Sequence, residues 1–139
     1  MSKLAITIVE GNEAYSFLAD RTAHYYGEML ADHPELDSDG MGNCWVVAAV
    51  AHGVAQALGH KAQLCGGRVY NADTGDALFG GDNHYWVVVD GGTIIESPNP
   101  STIMVHHEGQ IEDLKRKKVA GKGHHLKQLS RAVRDRVLK

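Results

Sequence analysis

Gly42-Asn43-Cys44-Trp45-Val46-Val47-Ala48-Ala49-Val50-Ala51-His52-Gly53-Val54-Ala55-Gln56-Ala57-Leu58-Gly59 is the stretch that decides the fold. From Cys44 to Leu58 it is Ala-rich and apolar on nearly every side, which predicts a helix covered by protein all round. Gly59 ends it, as suits a helix carboxyl terminus. Upstream, Pro34-Glu35-Leu36-Asp37-Ser38-Asp39-Gly40-Met41-Gly42-Asn43 is acidic and rich in turn formers, hence a loop. Before that loop Ala14, Phe17, Leu18, Tyr25, Met29 and Leu30 recur at helical spacing, from Glu13 capped by Asn12 to a stop at His33-Pro34. Leu4 to Val9 reads as a short strand.

Downstream of Gly59 the period changes. Lys61 to Tyr70 reads as a strand interrupted by Gly66-Gly67, and Asn71 to Asn83 as a Gly/Asp-rich loop. His84-Tyr85-Trp86-Val87-Val88-Val89-Asp90, a tight turn at Gly91-Gly92, and Thr93-Ile94-Ile95-Glu96 predict a hairpin, with a further strand over 102 to 106. Leu126, Leu129, Val133 and Val137 share one face of a terminal helix. The expected class is α+β, helices first, with the buried cysteine helix packed on an antiparallel sheet.

The 139 residues suit one domain, and 43% hydrophobic with 22% charged residues excludes wholesale disorder. No apolar run approaches the roughly 20 residues of a membrane span, and the first ten residues lack a signal-peptide pattern, so a soluble, cytoplasmic domain is expected. The net charge of −3 conceals an asymmetry: residues 1 to 110 hold 4 Lys/Arg against 14 Asp/Glu, and residues 111 to 139 hold 10 against 3. This divides the chain into a core over 1–110 and a basic segment over 111–139, its amphipathic helix packed on or extending from that core. Two cysteines, Cys44 and Cys65, are too few for a disulfide framework, and reduced thiols are expected.

Cys44 stands at the amino end of the buried helix, where free N–H groups and the helix dipole favour a thiolate. Gly40, Gly42 and Asn43 give a slender approach for a substrate carbonyl, and Trp45 is placed to wall the site from water. A cysteine nucleophile needs an imidazole to take and return its proton. His84 opens the strongest strand of the chain. The hairpin brings the segment from Ile95 to Asn99 back beside it, so that Glu96 or Asn99, according to register, would orient the ring. Asp90 lies at the other end of the hairpin, about 20 Å away at ~3.3 Å per residue, and is set aside as a turn residue.

Gly42-Asn43-Cys44-Trp45 heading a buried helix resembles the nucleophile segment of papain-like cysteine proteases, and Asn83-His84 before a hydrophobic strand is similar to their histidine segment. The spacing from Cys44 to His84, with Ala57-Leu58-Gly59, Gly67-Arg68-Val69 and His84-Tyr85-Trp86-Val87, looks more like the compact core of transglutaminase-like peptidases and arylamine N-acetyltransferases. The resemblance covers residues 40 to 99. It implies a Cys44–His84–Glu96 triad, with Glu96-Ser97-Pro98 where that superfamily usually has Asp-Pro. Papain relatives place an oxyanion-hole Gln before the cysteine; here the first Gln is Gln56, which leaves the role to the Cys44 N–H with Asn43. The activity implied is a cysteine-dependent hydrolase or acyl transferase acting on an amide, ester or thioester of a peptide, protein or small acyl substrate, without cofactor or metal.

Other signals point elsewhere. The nine histidines lack zinc-ligand spacing. The Lys115-Arg116-Lys117-Lys118 run offers a grip on nucleic acid, yet no aromatic residue follows Trp86 for base stacking, and docking of the basic segment on the acidic body is the preferred reading. The alternative function is an inert binding module of the same fold that uses this basic tail on nucleic acid or an acidic protein.

Overall fold

A computed structural model describes residues 5–9, 13–36, 43–78, 84–99, 102–111, 114–118 and 124–139, with the side chains of Asn43, Asn99 and His124 excepted. The architecture is α+β. Strand β1 (Ala5–Ile8) precedes helix α1 (Ser16–Asp32), and helix α2 (Asn43–Ala57) is followed by strands β2 (Ala62–Asn71), β3 (Ala77–Leu78), β4 (His84–Val89), β5 (Thr93–Asn99), β6 (Thr102–His107) and β7 (Leu114–Lys118). Helix α3 (His124–Leu138) ends the chain. Short 3₁₀ turns at Glu13–Tyr15 and Pro34–Leu36 flank α1. The expected Asn12 cap, most of the acidic loop (37–42) and the end of the Gly/Asp-rich loop (79–83) lie outside the described residues.

The strands form one sheet in the order β1-β6-β5-β4-β2-β3, with β7 also paired to β2. The expected all-antiparallel sheet needs one correction, because β1 runs parallel to β6. No hairpin joins these two; most of the chain lies between them, so no short turn imposes an antiparallel direction. The strand over 62–71 is also continuous rather than interrupted. Gly66 is there for close approach: a Cβ on it would stand 2.8 Å from the Tyr85 ring.

Helix α2 is apolar all round because protein surrounds it. Its Val46, Val47, Val50 and Val54 meet Val87, Val89, Ile95, Ile103 and Val105 on one face of the sheet, together with Leu18, Tyr26, Met29 and Leu30 from α1 and Val133 from α3. Each such side chain contributes about 1.5–3 kcal/mol relative to exposure. The stripe predicted on α1 is rotated from expectation. Phe17 is 58% exposed, with the Arg21 guanidinium 5.8 Å from its ring and 5.9 Å from that of Tyr25. Leu18, Thr22, Tyr26 and Met29 form the buried face instead.

The opposite sheet face carries a smaller cluster of Cys65, Val69, Trp86 and Ile94. The basic segment joins both layers. Strand β7, read in the sequence as a charge run, sets Arg116 opposite Val69, and Leu126 and Val133 of α3 are buried. Arg136 of α3 pairs with Glu28 and Asp32 of α1 at 3.4 and 2.5 Å. Among the described residues no helix is long and apolar enough to cross a membrane.

Candidate active site

Helix α2 and strand β4 bring Cys44 to His84. The half-buried thiol and the imidazole interact, and the backbone N–H groups of Tyr85 and Trp45 favour the charged sulfur. Burial pushes the thiol pKa up, but the interaction with His84, its charge and the two N–H groups outweigh it, and the net shift is downward. His84 moves the opposite way: burial favours the neutral ring, and the Cys44 and Glu96 contacts overcome it, raising its pKa. The two shifts favour a thiolate facing an imidazolium.

The hairpin supplies the third group. Trp86 pairs with Glu96 and Val89 with Thr93, so the turn is three residues, Asp90-Gly91-Gly92. Asp90 and Gly91 take left-handed φ values of 54° and 82°. That register puts Glu96 on the same sheet face as Trp86 and, two residues along β4, His84. His84 Nε2 lies 2.7 Å from Glu96 Oε1. The His84 ring also stacks on Trp86, centroids 5.9 Å apart and planes at 22°.

Two further residues, which sequence reading missed, converge on this carboxylate. His106 Nε2 lies 2.5 Å from Oε2. Arg116 donates through Nη1 to Oε1 at 2.9 Å and through Nη2 to Oε2 at 2.5 Å. Glu96 is fully buried. Burial alone raises a carboxyl pKa, but the His106, His84 and Arg116 hydrogen bonds and the guanidinium charge hold this one far below the usual range. His106 was legible from the alternation of β6, where Ile103 and Val105 face α2 and Met104 and His106 face away. Arg116 carried no comparable signal, since β7 has no apolar alternation.

The other expected residues are placed as follows. Asn43 is the first residue of α2, and its side chain lies outside the described residues, as does that of Asn99, whose backbone pairs with Thr102. Trp45 is half-buried and edge-on to His125 of α3, with centroids 4.8 Å apart. Asp90 sits at the far end of the hairpin, accepting from His60 at 2.8 Å and Tyr15 at 3.2 Å. Neither Cys44 nor Cys65 is in a disulfide. Burial raises the pKa of Cys65, opposite to the shift at Cys44. Among the described residues no group of three or more His, Cys, Asp or Glu is arranged to hold a metal ion. In comparisons with known proteins, no family model, curated protein or solved structure matches the chain.

Proposed function

We propose that this chain is a cysteine-dependent hydrolase or acyl transferase with a compact papain-like, transglutaminase-like core. The observation that carries the reading is the interaction of the Cys44 thiol with an imidazole that a buried carboxylate holds through Nε2. The chain order supports it as well: cysteine helix, Gly67-Arg68-Val69 strand, histidine strand, acid. In the proposed reaction the Cys44 thiolate attacks the carbonyl carbon of an amide, ester or thioester. The backbone N–H of Cys44 stabilises the developing oxyanion. His84 protonates the leaving group as the C–N, C–O or C–S bond breaks, leaving a thioester on Cys44. Water or an amine then attacks that thioester, gives its proton to His84, and the thiolate departs. Glu96 fixes the ring throughout.

Iodoacetamide labelling of the native protein, read by peptide mapping, tests this. Fast modification confined to Cys44 is expected, because Cys65 is 5% exposed and its pKa is raised. His84→Ala should slow Cys44 modification near neutral pH by about tenfold or more, one pKa unit being worth that factor in thiolate. An activated ester should leave an acyl group on Cys44. Equally slow labelling of both cysteines, with no acylation, would leave an inert module and overturn the proposal.

A further inference from the structure

The carboxylate that orients His84 is itself held by a strand from the basic end of the chain, and this bears on the chemistry of Cys44. Arg116 makes a bidentate fork on Glu96, and the face of Trp86 lies 4.9 Å from its guanidinium carbon. A bidentate pair fixes both position and angle of a carboxylate. Pairing of β7 with β2 at Val69↔Arg116 sets where the guanidinium starts from. We propose that Arg116 is a positioning residue that locks Glu96 against His84 and, through that ring, sets how readily Cys44 gives up its proton. This rests on the proposed thiol chemistry and extends it to a residue outside the 40–99 segment that carries the resemblance.

Several groups share this field. Glu96 is faced by His84 from β4, His106 from β6 and Arg116 from β7. Arg116 also has His106 Nε2 at 3.4 Å, and Cys65 feels Arg116 together with Lys118 and Glu108. Cys44 is faced by His84, and its neighbour Trp45 by His125 of α3. Within this set the charge that lowers the Cys44 pKa is that of His84, and Glu96 sustains that charge by raising the His84 pKa. Arg116 reaches the thiol through these two: without its fork the carboxylate is no longer fixed on the ring, and the imidazolium that favours the thiolate loses its support.

The test is the pH midpoint of Cys44 alkylation in four variants of the full chain. Glu96→Gln should move the midpoint upward by about half a pH unit or more, because His84 loses the contact that raises its pKa. Arg116→Gln should move it in the same direction, and so should Arg116→Lys, which keeps the charge but cannot make the fork. The double variant Arg116→Gln/Glu96→Gln should coincide with Glu96→Gln, since Arg116 acts through that carboxylate. A merely structural role would lower stability and leave these midpoints together. A midpoint of Arg116→Gln at or below that of wild type, or a double variant well apart from Glu96→Gln, overturns the inference. Should Arg116→Gln not fold, Arg116→Lys carries the test, and coincidence of its midpoint with wild type is equally fatal. A wild-type Cys44 with no lowered midpoint defeats the proposed function and this inference together; a lowered midpoint that Arg116 variants do not move defeats the inference only.

Discussion

Replacing Gly53 by Ala places a methyl group in the seam between α2 and α3. On an isolated helix the change is favourable by about 1 kcal/mol, because glycine is a poor helix former. In this molecule the added Cβ runs into the Ser130 carbonyl oxygen and stands 3.1 Å from both Arg134 N and Val133 Cβ. Two of these three atoms are backbone, so α3 itself must retreat, by roughly 1 Å for ordinary contact. A gap of that size forfeits a quarter to a half of each pairwise dispersion well along the seam, and overpacking of this kind typically costs 1–3 kcal/mol. The retreat also breaks the 2.6 Å hydrogen bond between His52 and the buried Ser130 hydroxyl, for about 1 kcal/mol more. The balance is a loss of about 1–3 kcal/mol and a melting temperature lower by roughly 3–10 °C. Urea denaturation of Gly53→Ala beside Ser130→Ala, which removes the hydrogen bond alone, separates the parts. A Gly53→Ala protein as stable as wild type, or more so, would refute the close approach of the two helices.

Two predictions concern pH. The pKa of Glu96 is far below its ordinary 4.5 in the folded chain, so the stability it contributes is complete above that value and is lost as pH falls below it. Melting temperatures of wild type and Glu96→Gln should therefore diverge least in acid, and parallel curves would contradict the buried carboxylate network. The pKa of His52 is also lowered, by burial and then by the Arg134 charge, from its ordinary 6.5. Its contribution is present above pH 6.5 and is lost as pH falls through the folded value. His52→Gln should flatten the fall in stability as pH drops below about 6.5, measured by thermal melts.

The thiol and the imidazole were legible because each stands at the first turn or first residue of a strongly patterned element. The choice between Glu96 and Asn99 was not, and the reason is one residue of loop. A two-residue turn at Gly91-Gly92 would pair Glu96 with Val87, on the face away from His84; the observed turn adds Asp90 and pairs Glu96 with Trp86. Side-chain parity flips with every single-residue slip, so hydrophobic pattern alone could not choose. Asp90 tolerates its left-handed backbone while its carboxylate accepts from His60, Tyr15 and the Lys61 N–H, contacts formed only after the fold assembles. Strand β7 was invisible for a different reason. Leu114-Lys115-Arg116-Lys117-Lys118 pairs through its backbone with β2, and a ladder of main-chain bonds leaves no period in the side chains. The rotation of α1 that exposes Phe17 likewise depends on what covers the helix, not on its own spacing.

Trp86 meets both the guanidinium of Arg116 and the ring of His84, and it is 1% exposed. Only one other tryptophan exists, Trp45. A protonated imidazole quenches an excited indole against which it is stacked, whereas a neutral one does so weakly. The molecule thus carries its own optical probe: in a Trp45→Phe background, emission intensity followed across a titration reads the protonation of His84 directly, without substrate, label or turnover.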